Sequence, residues 1–191
     1  AERSLLATRD GDGSPPLLVA ARAGDIEIAR QLLDAGADIN LGDNENSNAL
    51  HLAAVGGQNA MIDFLLERGM NIHAEDVNGM NAVLFAAAYN KYETVRHLLS
   101  KGARADSKTR QGTTLMHQAA ARGNLEFMKY LVSQGQSVNV GFDQWGRTPL
   151  TAAAFGGRKE VVEYLLANGV NVNEKASDGQ SALFAVDLHV V

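Results

Sequence analysis

The stretch Asp143-Gln-Trp-Gly-Arg-Thr-Pro-Leu-Thr-Ala-Ala-Ala-Phe-Gly-Gly157, continued by Arg158-Lys-Glu-Val-Val-Glu-Tyr-Leu-Leu-Ala-Asn-Gly169 and Val170-Asn-Val-Asn173, decides how this chain folds. It reads as a turn, a short helix, a reversal, a second helix and a glycine stop. Thr148 is a helix cap, because its hydroxyl can accept a backbone N–H two or three residues on. Pro149 suits the first helical position, where its missing N–H would have no partner. Ala152, Ala153 and Ala154 permit close approach of a neighbouring helix, and Gly157 supplies the left-handed conformation of a helix stop. In the second helix Glu160 sits near the positive end, and Val161, Val162, Leu165 and Leu166 form one apolar face before Gly169. Each helix is shorter than the ~12–15 residues at which an isolated helix becomes marginally stable in water, so the unit has to bury its face against copies of itself.

The copies are present. The first stop recurs at Gly24, Gly57, Asn90, Gly123 and Gly157, and the second at Gly36, Gly69, Gly102, Gly135 and Gly169, both with spacings of 33, 33, 33 and 34 residues. Leu32-Leu33, Leu65-Leu66, Leu98-Leu99, Leu131-Val132 and Leu165-Leu166 keep phase, and Leu99 is expected in the repeated core. Glu27, Glu93, Glu126 and Glu160 open the second helices. These series predict a single repeat domain over 1–191: an end segment 1–9, repeats over 10–42, 43–75, 76–108, 109–142 and 143–174, and a partial copy over 175–191. Helices are predicted near Pro16–Ala23 and Ile26–Ala35 in the first copy. Phe142 is the one residue that exceeds the regular spacing, an aromatic added to a turn.

Thr148-Pro-Leu-Thr-Ala-Ala, Asn48-Ala-Leu-His-Leu-Ala-Ala and Gly36-Ala-Asp-Ile-Asn40, at this period, resemble the ankyrin repeat family over nearly the whole chain. The resemblance implies an all-α fold, an ankyrin-repeat solenoid of stacked helix-turn-helix units joined by β-hairpin-like loops. It also implies finger-like turns that line a protein-binding concave surface with the first helices. Asn48 and Asn81 stand where the family has a capping Thr, and Asn90 where it has a Gly, changes Asn tolerates. Pro15 and Asp187 mark atypical first and last copies. His51 and His117 fall in the signature's His slot, which implies hydrogen bonding within the stack. Asn40, Asn139 and Asn173 match a slot that asparaginyl hydroxylases modify in some members.

The family's variable finger and first-helix slots select Met80, Tyr89, Arg110, Arg122, Phe142, Trp145, Arg147 and Phe155 as a protein-binding surface, with Val77, Asn78, Ala88, Gln111, Thr113, Ala121 and Gln144 in the same slots. Such positions are released from stacking, and Trp, Tyr and Arg often carry interface energy. The competing reading is that Trp145 folds back over Phe142 and covers its own hairpin. The arginines are expected to flank Trp145 without acidic neighbours in the same fingers, which favours a partner with an acidic surface.

Composition narrows the remaining classes. The chain has no cysteine, which excludes disulfides, thiolate metal sites and a cysteine nucleophile. His73, His97 and His189 lack metal-site spacing, and the glycines are periodic helix stops rather than phosphate loops, so no catalytic residues, metal or cofactor are expected. No apolar run reaches 18 residues and the start, Ala1-Glu-Arg-Ser-Leu-Leu, is unlike a signal peptide, so a soluble monomer is expected, with the cytoplasm favoured over an exported mature chain. The net charge of −5 divides into −8 over residues 1–80, with 13 acidic and 5 basic side chains, and +3 over the rest. Lys101, Arg104, Lys108 and Arg110 form a basic stretch, either a solvated loop or a weak nucleic-acid footprint. The expected function is a non-catalytic protein–protein interaction module, with a structural or regulatory array within a larger protein as the alternative and nucleic-acid binding third.

Overall fold

The computed structural model describes residues 8–11 and 13–173. The expectations for the 1–9 end segment, in all but Thr8 and Arg9, and for the partial copy beyond Glu174, with Asp187 and His189, lie outside these residues. Helices arise in pairs: α1 (Pro16–Ala23) and α2 (Ile26–Asp34), α3 (Ala49–Gly56) and α4 (Asn59–Glu67), α5 (Ala82–Ala88) and α6 (Tyr92–Ser100), α7 (Leu115–Arg122) and α8 (Leu125–Ser133), α9 (Pro149–Phe155) and α10 (Lys159–Ala167). Among the described residues there is no strand, only an isolated bridge between Lys108 and Thr114. The chain forms two compact units that divide between Arg104 and Ala105.

In the first unit α1 packs on α3 and α3 on α5, while each first helix also packs on its own second helix. The alanines at the centre of the first helices make this possible: Ala20, Ala21, Ala53, Ala54, Ala86 and Ala87 are all buried. In the second unit α7 packs on α9 in the same way, through buried Ala119, Ala120, Ala153 and Ala154.

The caps explain where the first helices begin. Thr148 accepts from the Thr151 N–H at 3.3 Å while Thr151 Oγ1 accepts from the Thr148 N–H at 2.7 Å, a reciprocal box that satisfies two otherwise orphaned donors. Asn48 and Asn81 cap α3 and α5 as expected from their side-chain oxygens, and Pro15 precedes α1 without a side-chain cap. Asn90 takes the stop position with φ of 60°, the left-handed conformation that Asn visits more readily than other non-glycine residues.

One expectation about the core is corrected. In the second to fifth pairs the first leucine is fully buried, Leu65, Leu98, Leu131 and Leu165 all at 0% exposure, but Leu99 is only half-buried and Leu166 is 43% exposed. Successive helical residues point about 100° apart, so one of two adjacent leucines faces the stack squarely and the other lies at its margin.

Candidate functional site

Each finger is built around its first residue. Asp143 N–H donates to Arg147 O at 3.0 Å and Gly146 N–H returns to Asp143 O at 2.9 Å, closing a tight loop. Asp143 Oδ1 accepts from the N–H groups of Trp145 at 3.0 Å and Arg147 at 2.8 Å. Asp76 repeats the arrangement with the N–H groups of Asn78 and Met80, both at 2.8 Å. Asp43 does so with Glu45 and Ser47, and Thr109 uses its hydroxyl for Thr113. The periodic series Asp10, Asp43, Asp76, Thr109 and Asp143 carried this signal in the sequence, but as repeat boundaries only; the turn-holding role of these side chains was missed.

Neighbouring fingers touch through their backbones. Gln144 N–H donates to Gln111 O at 2.7 Å in the second unit, and Val77 N–H to Glu45 O at 2.9 Å in the first. Gly112 allows this approach: its φ is +79°, and a Cβ there would meet Asp143 Cα at 3.3 Å.

The tip of the 143–147 finger carries the single Trp of the chain. Trp145 is 55% exposed and Phe142 39% exposed. The group that lies over Trp145 is the Arg147 guanidinium, 4.5 Å from the indole centroid, and among the described residues no aromatic ring stacks on it. That guanidinium is itself fixed, with Nε 2.8 Å and Nη2 2.7 Å from Asp143 Oδ2. The expectation that arginines flank Trp145 without an acidic neighbour in the same finger is therefore wrong for Arg147: the three-residue loop that joins Asp143 to Arg147 brings their charges together.

The other predicted residues fall into three groups. Arg110 is exposed on the adjoining finger, next to Gln111. Arg122 and Phe155, the latter 58% exposed, lie at the C-terminal ends of the packed helices α7 and α9. Phe155 is about 10 Å along α9 from the finger, given a rise of ~1.5 Å per residue. Met80 and Tyr89 belong to the first unit, Met80 half-buried in its finger and Tyr89 52% exposed at the end of α5. Asn40, Asn139 and Asn173 are exposed.

His51 and His117 are structural, each within its own unit. His51 Nδ1 accepts from the Asn48 N–H at 3.0 Å, so Nε2 carries the proton and donates to Ala74 O at 2.9 Å. His117 Nδ1 likewise faces the Thr114 N–H at 3.4 Å, and Nε2 donates to Arg147 O at 3.0 Å, at the base of the Trp145 finger. Burial is the main cause that lowers both imidazoles from the ordinary value of 6.5. An unfolded chain then binds more protons than the folded one below that value, so stability is complete above pH ~6.5 and declines as the pH falls through the window beneath it, by at most ~1.4 kcal/mol per histidine per pH unit. Leu18 and Leu84 fill the same slot fully buried. A His51→Leu, His117→Leu variant is accordingly expected to show a flatter decline in Tm between about pH 6.5 and 5. Parallel profiles for the two proteins would contradict this assignment.

His97 and the basic stretch also acquire definite positions. His97 Nε2 and Lys101 Nζ lie 2.9 and 2.8 Å from Asp63 Oδ1, joining α6 to α4, and the hydrogen bond from Lys101 is the main cause that holds the Asp63 carboxyl below its ordinary range. Lys101 is thus engaged within the protein, which weakens the nucleic-acid reading.

Paired helices with capped starts, left-handed stops and backbone-linked fingers define a helix-pair repeat protein. A family model described as ankyrin repeats (3 copies) matches residues 3–76 and 83–176, and the chain belongs to the ankyrin repeat family. A search of curated proteins found no match. Ankyrin repeats are in general protein–protein interaction modules, and among the described residues no helix is long and apolar enough to cross a membrane.

Proposed function

We propose that this chain is a non-catalytic protein-binding module and that the Phe142–Arg147 finger is the centre of its docking surface, with Arg110, Arg122 and Phe155 on the same unit. Met80 and Tyr89 occupy finger and first-helix positions in the other unit and are candidates there. The observation that carries this reading is the presentation of Trp145: an exposed indole, backed by a guanidinium that a buried carboxylate locks in place. An aromatic held in this way loses little freedom on binding, which is what makes a side chain effective as an anchor.

Because Arg147 is neutralised by Asp143, the charge preference falls on Arg110. A partner with carboxylates near its contact surface fits, and its association should slow as salt rises. With a partner recovered by affinity capture, Trp145→Ala is expected to weaken binding by ~2 kcal/mol or more. Glu163→Ala, an exposed change on α10, serves as the control. A folded Trp145→Ala protein that binds as tightly as the control would reject the site.

A further inference from the structure

The first helix pair has an open apolar face. A groove of about 560 Å³ runs along it, with Val19, Ala23, Ile28 and Leu32 in its lining beside the polar Thr8, Arg9, Asp10, Ser14 and Asp25. Val19 is 52% and Ile28 48% exposed. In the other four copies the slot of Ile28 holds Met61, Thr94, Phe127 and Val161, none above 2% exposure. The slot of Leu32 holds Leu65, Leu98, Leu131 and Leu165, all at 0%, whereas Leu32 itself is only half-buried. Within the first unit this same face is covered on α3 and α4 by α1 and α2, and His51 of α3 stacks on Phe85 of α5 with ring centroids 5.1 Å apart, Phe85 being the counterpart of Val19.

A repeat that ends a stack presents a polar outer face, because its outer side meets water. Val19, Ile28 and Leu32 are the residues of an internal copy instead. The repeat pattern also runs on ahead of Asp10: the family match starts at residue 3, and Leu6 stands in the slot of Ile39, Ile72, Val138 and Val172.

We infer that the open face of α1 and α2 is a stacking interface for one further helix pair of the same kind, carried ahead of residues 3–9 in the same polypeptide and seated as α1 and α2 are seated on α3 and α4. Its covering side would present an aliphatic or histidine side chain to Val19, as Leu18 and His51 stand in the copies that follow, and apolar residues to Ile28 and Leu32. This interface is independent of the Trp145 finger.

The test compares Ile28→Asp in two backgrounds. One is the 191-residue chain. In the other, residues 43–75 are duplicated directly ahead of Asp10, so that Glu75 precedes Asp10 as it natively precedes Asp76. In the first background the substitution is expected to move Tm by no more than ~2 °C, and in the second to lower it by at least ~5 °C, since the new pair buries the slot. Equal small shifts in both, or added helices that do not form, would overturn the inference. A large shift in the 191-residue chain would overturn it too. With a concentration-dependent mass that the substitution abolishes, that shift assigns the face to a second copy; at monomer mass, it shows a face already covered.

Discussion

Replacing Leu98 by Ala is expected to destabilise the first unit by ~2–5 kcal/mol, and replacing Leu99 by Ala to cost clearly less. Leu98 is at 0% exposure on α6, whereas Leu99, one residue on, is half-buried. Truncating Leu98 removes its transfer free energy and leaves a cavity that packed helices close only in part; at Leu99 water already reaches the site and fills the space. Urea titration of both variants, read at unchanged m, checks the difference. Losses of equal size would show that the two leucines share the core, contrary to the structure.

Asp143→Ala is expected to be the most damaging change in the fingers, at about 2–3 kcal/mol. The Asp143 side chain is 1% exposed and its two oxygens accept four hydrogen bonds, from Trp145 N–H, Arg147 N–H and two guanidinium nitrogens of Arg147. Removal leaves two turn amides without their acceptor, while Arg147, 49% exposed, is rehydrated and limits the loss. Asp143→Asn should recover part of it, because an amide oxygen still serves the backbone donors. Chemical denaturation gives the cost, and Trp145 emission reports the finger itself. A loss below about 0.5 kcal/mol, the range of ordinary surface substitutions, would mean that Asp143 does not hold the turn.

Much of the fold could be read from the residues because the repeat samples each slot five times. The glycine and Asn90 series placed the helix stops, and Thr148, Asn48 and Asn81 placed the starts. What could not be read has physical reasons. A Leu-Leu pair carries the same hydropathy at both positions, so only packing distinguishes Leu98 from Leu99. Asp is common in turns, so its presence at 143 does not distinguish a buried carboxylate from a solvent-facing one; here the adjoining finger is tied close by the Gln144 to Gln111 bond and Asp143 is buried. The pairing of Arg147 followed from that burial and was hidden with it. The division between Arg104 and Ala105 leaves no mark on a period that runs through it unbroken.

Collisional quenching of the single Trp tests the docking proposal most directly, since no other residue of the chain contributes to indole emission. Trp145 is 55% exposed in the protein alone, so iodide should quench it readily. On saturation with a Trp-free partner, a docking surface centred on the Phe142–Arg147 finger predicts a quenching constant reduced several-fold. A constant unchanged by a partner shown to be bound would contradict the proposal and move the interface away from this finger.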